Sequence, residues 1–188
     1  MTGLLGGRFD PPHNGHVALA RAARERFALD RLIVLVAESP AHKRVTTEGA
    51  TRVRLARAAF PDDDVRLDGH AYTIDAVAGG RYGDAIFLVG ADEFCDFPAW
   101  KDPEGVLREV KLGVATRPGY PRERLDAVLE RLSQPDRVEF FEIPPHDVAA
   151  DEIRRRVERG EPIDGLVPSA VARVIDELGL YRTSAARG

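Results

Sequence analysis

The chain has 188 residues, a formal net charge of −4 and a hydrophobic content of 44%, a composition typical of a globular protein with one full core. The negative charge argues against a nucleic-acid partner, which usually requires a basic face. The single cysteine, Cys95, excludes an internal disulfide framework. Together with the lack of a signal peptide, this predicts a cytoplasmic location. No apolar run approaches the ~20 residues of a membrane span, so no membrane partner is expected.

The first predicted elements are a short strand at Gly3–Leu5, a tight glycine loop over Gly6–His16 and a helix over Val17–Phe27. A helix that begins at such a loop presents unpaired N–H groups and the positive end of its dipole to an anion. His13 and His16 fall at that end, where imidazoles can donate hydrogen bonds to phosphate oxygens. The alternative is that the glycines only form a turn and the histidines only cap the helix.

Four further apolar runs predict strands, and helical patterns lie between them. The strands are Leu32–Val36, Ala85–Val89, Lys111–Ala115 and Val138–Ile143; the helices are Thr51–Phe60, Tyr72–Val77, Pro103–Val110 and Arg122–Leu132. This alternation predicts an α/β fold with a doubly wound parallel sheet. Ligands of such sheets bind at the carboxyl ends of the strands, so the glycine loop and the segments after Val36 and Val89 should converge on one cleft.

The C-terminal part of the chain predicts two more helices, Ala149–Arg159 and Pro168–Leu178. We expect them to form a small helical extension that begins near residue 147 and packs on the sheet. A single domain over residues 1–182 and a flexible tail over 183–188 follow from this pattern.

The glycine loop matches every fixed position of the GGxFDPxHxGH signature: Gly6, Gly7, Phe9, Asp10, Pro11, His13, Gly15 and His16. The chain therefore resembles the nucleotidyltransferase superfamily, in the form carried by nicotinate-nucleotide adenylyltransferases. The resemblance extends from Gly3 to about Arg182. It implies a Rossmann-like nucleotidyltransferase fold and transfer of the adenylyl group of ATP to nicotinate mononucleotide. It also implies that Mg²⁺ arrives with ATP, and the five histidines show no metal-ligand spacing with acidic residues.

Segments farther along the chain also resemble this family. The basic loop Ser39–Arg44 is similar to its PPHK segment, and Tyr72-Thr73 to a pair that holds the base of the acceptor nucleotide. By residue type alone, Thr73 is first of all a helix N-cap. Gly90-x-Asp92 followed by Trp100 is similar to a segment whose tryptophan stacks on the pyridine ring, and Arg117 lies in a similar RPG turn.

These similarities imply a set of site residues. Catalysis would fall to His13, His16 and Arg154. The residues that would bind ATP are Gly6, Gly7, Phe9, Gly15, His16, Lys43, Gly90, Asp92 and Arg154. Those that would bind the mononucleotide are Asp10, His42, Lys43, Tyr72, Thr73, Trp100 and Arg117. By helical spacing, Arg52, Arg54 and Arg57 are expected to form a solvated face.

One segment departs from the family pattern. Where the family carries an ISSTxIR motif, Val148–Arg154 retains the arginine but has lost all three hydroxyls and contains Asp151. Two alternatives therefore stay open, a nucleotidyltransferase for another phosphorylated acceptor and a nucleotide-binding relative without catalysis. The sequence also leaves open the choice between the acid and amide forms of the mononucleotide, and whether the chain forms a homo-oligomer.

Overall fold

The computed structural model describes residues 1–39, 47–145 and 148–182. Its strands are β1 (Thr2–Gly7), β2 (Arg31–Ala37), β3 (Asp64–Asp68), β4 (Ala85–Gly90), β5 (Lys111–Thr116) and β6 (Val138–Glu142). Its α-helices are α1 (Asn14–Phe27), α2 (Gly49–Ala59), α3 (Thr73–Val77), α4 (Ala91–Asp96), α5 (Pro103–Glu109), α6 (Arg122–Leu129), α7 (Ala150–Arg159) and α8 (Ser169–Glu177). Within these ranges, no helix is long and apolar enough to cross a bilayer.

The strands form one parallel sheet in the order β3-β2-β1-β4-β5-β6. The order reverses between β1 and β4, so the connections that leave these two strands run to opposite faces of the sheet. A crevice opens between them at the carboxyl ends of the strands, where doubly wound folds bind ligands. The predicted doubly wound parallel sheet is confirmed.

Both faces of the sheet are covered, because side chains on neighbouring strand positions point to opposite sides. Leu5 and Val34 belong to the core on one face, which includes residues of α1, α2, α7 and α8. Leu4 and Ile33, one position away, belong to the core on the other face, with residues of α3 to α6. This arrangement explains why the strands are continuous apolar runs.

Sequence patterns missed two elements. Only Val65 is buried among the five residues of β3, so this edge strand has no apolar run to reveal it. Helix α4 has six residues, too few for helical periodicity. The prediction of Thr73 as an N-cap was also wrong, because Tyr72 occupies the cap position of α3 and Thr73 is its first helical residue.

The two C-terminal helices pack on the same face of the sheet as α1. Ile153 of α7 and Val171 of α8 are fully buried in that core. The segment between them holds the start of α1, since the backbone N–H of Asn14 donates to the carbonyl of Leu166 (2.9 Å) and its side-chain amide donates to the carbonyl of Gly165 (2.7 Å). The chain's last elements therefore fix the helix that follows the glycine loop.

Arg52 on α2 is a charged side chain with no exposed surface. Its guanidinium donates to four backbone carbonyls, those of Thr47 (2.9 Å), Arg8 (2.9 Å), Ala37 (2.5 Å) and Glu38 (2.8 Å). These carbonyls belong to the segment after β1, the end of β2 and the approach to α2. One side chain thus joins three separate segments beneath the glycine loop.

The expectation that this helix carries a solvated arginine face was wrong for Arg52. It holds for Arg54 and Arg57, which are exposed, and Arg54 forms an ion pair with Glu177 of α8. Helical spacing alone cannot separate the three. The difference arises because Arg52 faces strand ends whose carbonyls need donors from outside the sheet.

We expect Arg52→Met to lower the free energy of unfolding by several kcal/mol, since each buried polar group left without a partner costs about 1–3 kcal/mol. Arg54→Met is the matched control and should change stability by less than about 1 kcal/mol, as exposed ion pairs do. Urea titrations followed by circular dichroism measure both. Equal destabilisation by the two variants would contradict the role assigned to Arg52.

Candidate active site

A cavity of about 630 Å³ lies at the carboxyl ends of the strands, centred on the reversal between β1 and β4. Its walls come from the glycine loop, from the segment before α3 and from the segment after β4. The predicted site residues that line it are Gly6, Gly7, Phe9, Asp10, His13, His16, Tyr72, Thr73, Gly90 and Trp100. The glycine loop and the segment after Val89 therefore converge on one cleft as predicted, and Ala37 brings the end of β2 to the same wall.

Close packing explains the glycine pair. A Cβ on Gly6 would lie 2.7 Å from the ring of Phe87, and one on Gly7 would lie 3.1 Å from the ring of Phe9. Phe9 adopts a left-handed backbone (φ 52°) and is almost fully buried. Its ring folds back over the strand end and lies 5.1 Å from the ring of His16. The glycines are thus required for the loop to place its histidines.

The two histidines occupy the start of α1, with His13 at the N-cap position. The backbone N–H of His13 donates to Nδ1 of His16 (3.2 Å), and the ring centroids are 3.8 Å apart. The pKa of His16 is held well below its ordinary value, first by burial and then by the neighbouring His13 and Arg8. A neutral imidazole with an accepting Nδ1 carries its proton on Nε2. His16 is therefore a neutral Nε2–H donor at a helix N-terminus. The capping role is confirmed, and it leaves Nε2–H of His16 as the donor that the predicted anion-binding role requires.

Asp10 is held from two sides by the C-terminal part of the chain. The residue is 2% exposed, and its carboxylate accepts a hydrogen bond from the hydroxyl of Tyr181 (2.7 Å). Its backbone carbonyl accepts one from Arg154 (2.6 Å). Burial, followed by the charge of Asp10, raises the pKa of Tyr181, so the hydroxyl keeps its proton and remains a donor. The carboxylate of Asp10 thus has an internal partner, although the residue lies at the cavity wall.

The start of α7 reaches the cavity at Ala150. Asp151, in the first turn of this helix, forms an ion pair with Arg154. Arg155 and Arg156 pair instead with Glu152. Arg154 is thus the arginine directed to the glycine loop, and its guanidinium is already shared with a carboxylate.

Another part of the cavity wall is aromatic. Trp100 lies edge-on to Phe87 and Phe97, with centroid distances of 6.3 and 5.2 Å. The adjacent Lys101 donates two hydrogen bonds to the carboxylate of Asp75 (2.9 and 3.0 Å) and lies 4.8 Å from the ring centroid of Tyr72. Lys101 thereby joins the tryptophan segment to the start of α3, and the two form one wall.

Four predicted residues that the structure describes are not among those that line the cavity: Gly15, Asp92, Arg117 and Arg154. Gly15 is in the first turn of α1. The carboxylate of Asp92 accepts a hydrogen bond from Tyr120 (2.8 Å), so it contacts the segment before α6. Arg154 reaches the site only through the carbonyl of Asp10. His42 and Lys43 lie outside the described residues.

Sequence reasoning overlooked several polar residues of the cavity wall. They are Arg8, Asp68, His70, Glu93, Asp96 and Lys101. Asp68 and His70 were missed because strand β3 was missed. Glu93 and Asp96 lie on α4, which was missed as well. No group of three or more His, Cys, Asp or Glu side chains with metal-binding geometry occurs among the residues that the structure describes.

Comparison with known proteins identifies relatives that are nucleotidyltransferases by name. The cytidylyltransferase-like family model matches residues 4–156. A protein of Moorella thermoacetica named "probable nicotinate-nucleotide adenylyltransferase" is 36% identical over 96% of this chain and 91% of its own length. A protein of the same name from Thermomicrobium roseum is 37% identical with the same coverage.

Solved structures extend the likeness to the fold. The Plasmodium falciparum nicotinic acid mononucleotide adenylyltransferase complexed with NaAD superposes with a TM-score of 0.75 at 16% identity, over 96% of each chain. The same enzyme complexed with APC gives a TM-score of 0.73. At this level of identity the match establishes the fold alone.

We expect the free energy of unfolding to fall as the pH drops below about 6.5, the ordinary histidine value. His16 resists protonation in the folded state, so the unfolded state binds more protons there and stability decreases. His16→Gln removes this linkage, and its Tm should change less than that of the wild type between pH 7.5 and 5.5. Parallel Tm profiles for the two proteins would contradict the burial of a neutral His16.

Proposed function

Because the chain belongs to the cytidylyltransferase-like family, we propose that it is a nicotinate-nucleotide adenylyltransferase of NAD biosynthesis. It transfers the adenylyl group of ATP to nicotinate mononucleotide and releases pyrophosphate. The observation that supports the proposal is the presence of His16 and Trp100 in the wall of one cavity, at the reversal of strand order. The histidine loop offers donors to a polyphosphate, and the tryptophan offers an aromatic face to a flat heteroaromatic ring. Relatives of the same name at 36–37% identity support it.

The reaction needs no nucleophile from the protein. An oxygen of the acceptor's 5′-phosphate attacks the α-phosphorus of ATP, and the bond from that phosphorus to the bridging oxygen of the β-phosphate breaks. Catalysis of this kind depends on positioning and on stabilising developing negative charge. His16 donates from Nε2 to the α-phosphate, and the N-terminus of α1 adds the positive end of the helix dipole.

A neutral His16 suits this task. It supplies a directional donor without an ion that would have to be desolvated in the buried loop. His13 lies beside it at the N-cap and also faces the triphosphate. Mg²⁺ bound with ATP would neutralise part of the phosphate charge, and its ligands would come mainly from the phosphates and water. The ammonium group of Lys43 and the planar guanidinium of Arg154 bind phosphate oxygens.

The acceptor lies against the aromatic part of the cavity wall. Trp100 stacks on the pyridine ring, an arrangement that aromatic faces favour. Tyr72 and Thr73, on the wall joined to it by Lys101, contact the same ring. The hydroxyl of Tyr120 competes with ribose hydroxyls for Asp92, so this carboxylate must exchange partners to bind a nucleotide.

One observation favours a second candidate function, nucleotide binding without turnover. Arg154 is the arginine of the motif that grips the triphosphate, and here it pairs with Asp151. The family's hydroxyl-bearing residues are replaced by Ala149, Ala150 and Asp151. If this ion pair persists in the presence of ATP, the phosphates lose both the hydroxyls and the guanidinium.

The deciding experiment is a pyrophosphate-release assay with ATP and nicotinate mononucleotide, nicotinamide mononucleotide or phosphopantetheine. We expect turnover with a pyridine mononucleotide. His16→Ala should lower kcat by about 10²–10³-fold, as loss of an oxyanion-type donor does. Wild-type turnover by His16→Ala would refute its role. Release with phosphopantetheine alone would indicate a different acceptor.

We expect Ala150→Ser combined with Asp151→Thr to lower the KM for ATP by about tenfold or more. The change restores hydroxyl donors and releases Arg154, and each hydrogen bond to a charged group contributes about 1.5–3 kcal/mol. Arg154→Ala should nearly abolish activity because it also releases the carbonyl of Asp10.

Two single variants separate the effect of the Asp151 charge from the effect of the restored hydroxyls. Asp151→Asn removes only the charge and should give part of the gain. Glu152→Gln, on the same helix but paired with Arg155 and Arg156, is the matched control and should leave the KM for ATP unchanged. Failure of the wild type to bind ATP by calorimetry, with no gain in the double variant, would favour the non-catalytic function.

A further inference from the structure

The carboxylate of Asp10 lies between two places with opposite charge requirements. Asp10 lines the cavity, where the triphosphate of ATP is proposed to bind. Beneath the glycine loop lies the buried guanidinium of Arg52; burial lowers its pKa, and the charge of Asp10 is the largest effect that raises it. The buried cation is therefore stabilised by a carboxylate that would repel an anion in the cavity. The orientation of this one side chain decides which of the two it acts on.

The hydroxyl of Tyr181 holds this carboxylate from behind the cavity wall. It donates to Oδ1 of Asp10 (2.7 Å), and Tyr181 is not among the residues that line the cavity. The side chain of Thr47 hydrogen-bonds to the same hydroxyl, and the carbonyl of Thr47 accepts from Nε of Arg52 (2.9 Å). A continuous chain of hydrogen bonds thus connects the carboxylate to the segment that carries the buried guanidinium.

The end of the chain is folded to place Tyr181 at this position. Helix α8 ends in a Schellman motif, in which the backbone N–H groups of Gly179 and Leu180 donate to carbonyls of the last turn. Gly179 is left-handed (φ 58°), and Tyr181 is left-handed as well (φ 62°). A left-handed backbone is unfavourable for a tyrosine, so contacts of its side chain must offset the cost. The hydrogen bond to Asp10 and packing against the core beneath α1 are such contacts.

The other charges near the glycine loop make the placement of Asp10 important for an anion. His16 is neutral, and Arg154 already forms an ion pair with Asp151. Arg8 lies in the same cavity wall as Asp10. A carboxylate released into the cavity would oppose the positive charge of Arg8 and leave the wall with less attraction for phosphates.

We propose that Tyr181 is a positioning residue for polyphosphate binding, because its hydroxyl holds the carboxylate of Asp10 towards Arg52 and keeps this negative charge out of the ATP site. The inference rests on the proposed function, and it identifies the group that makes the proposed phosphate site electrostatically favourable. Tyr181 acts through Asp10 and does not contact ATP.

The test removes first the hydroxyl and then the charge. Affinities for ATP and for inorganic pyrophosphate are measured by isothermal titration calorimetry, well below the Tm of every variant. Tyr181→Phe keeps the ring and releases the carboxylate, so both affinities should fall about 10- to 100-fold, the range expected for a like-charge contact at partial burial. Addition of Asp10→Asn removes the released charge and should restore most of both affinities.

Two further measurements separate charge repulsion from a loss of structure. The loss of affinity in Tyr181→Phe should be smaller at high than at low ionic strength, because salt screens repulsion in an open cavity. Tyr82→Phe is the matched control, since Tyr82 packs against the core on the other face of the sheet and does not line the cavity. It should bind ATP and pyrophosphate as the wild type does.

Asp10→Glu and Asp10→Gln provide an equivalent comparison if Tyr181→Phe does not fold. Both side chains are one methylene longer than the aspartate that Tyr181 holds, and only the glutamate carries a charge towards the cavity. Asp10→Glu should therefore bind ATP about tenfold or more weakly than Asp10→Gln.

Unchanged affinities in Tyr181→Phe, or a loss that Asp10→Asn does not reverse, would overturn the inference. Equal ATP affinities of Asp10→Glu and Asp10→Gln would do the same. A wild type that binds ATP but turns over neither pyridine mononucleotide overturns the proposed function alone, because the ATP affinities still decide the role of Tyr181. A wild type that binds neither ATP nor pyrophosphate overturns both.

Discussion

The geometry of the site depends on the buried guanidinium of Arg52. The carbonyls that follow β1 and β2 extend past the ladder of the sheet and need donors from elsewhere. Arginine alone has five N–H donors in one rigid plane, and here that plane serves four carbonyls from three segments. Burial lowers the pKa of Arg52, and the charge of Asp10 acts in the opposite direction. The glycine loop, which Arg52 supports, therefore also contributes the charge that stabilises the buried guanidinium.

The glycine loop, supported by Arg52, must place a donor at a helix N-terminus without placing a buried cation there. An anion-binding site needs donors directed at the phosphate, yet a buried cation at a helix N-terminus would be repelled by the dipole. His16 avoids the conflict by staying neutral, with its tautomer fixed by the backbone N–H of His13. Phe9, strained at positive φ and packed on His16, completes an arrangement in which loop shape determines the protonation state.

The other walls of the cavity come from distant parts of the chain. Tyr181 and Arg154 hold Asp10 across more than 140 residues of sequence, and Lys101 joins Trp100 to α3. Long-range contacts of this kind make the site a property of the complete fold. They also occupy charged groups, since Arg154 pairs with Asp151 and the carboxylate of Asp92 accepts a hydrogen bond from Tyr120.

The sequence alone determined the alternating architecture and the histidine loop. Periodicity is local, and buried parallel strands are continuous apolar runs, so five of the six strands were visible. The GGxFDPxHxGH spacing was likewise visible, because a loop that folds back on itself requires its glycines at fixed positions. Only the tertiary structure revealed the edge strand β3 and, with it, Asp68 and His70, because one buried residue in five gives no pattern. It alone separated Arg52 from Arg54, two residues apart on one helix, since burial depends on which strand ends a side chain meets and not on its own spacing.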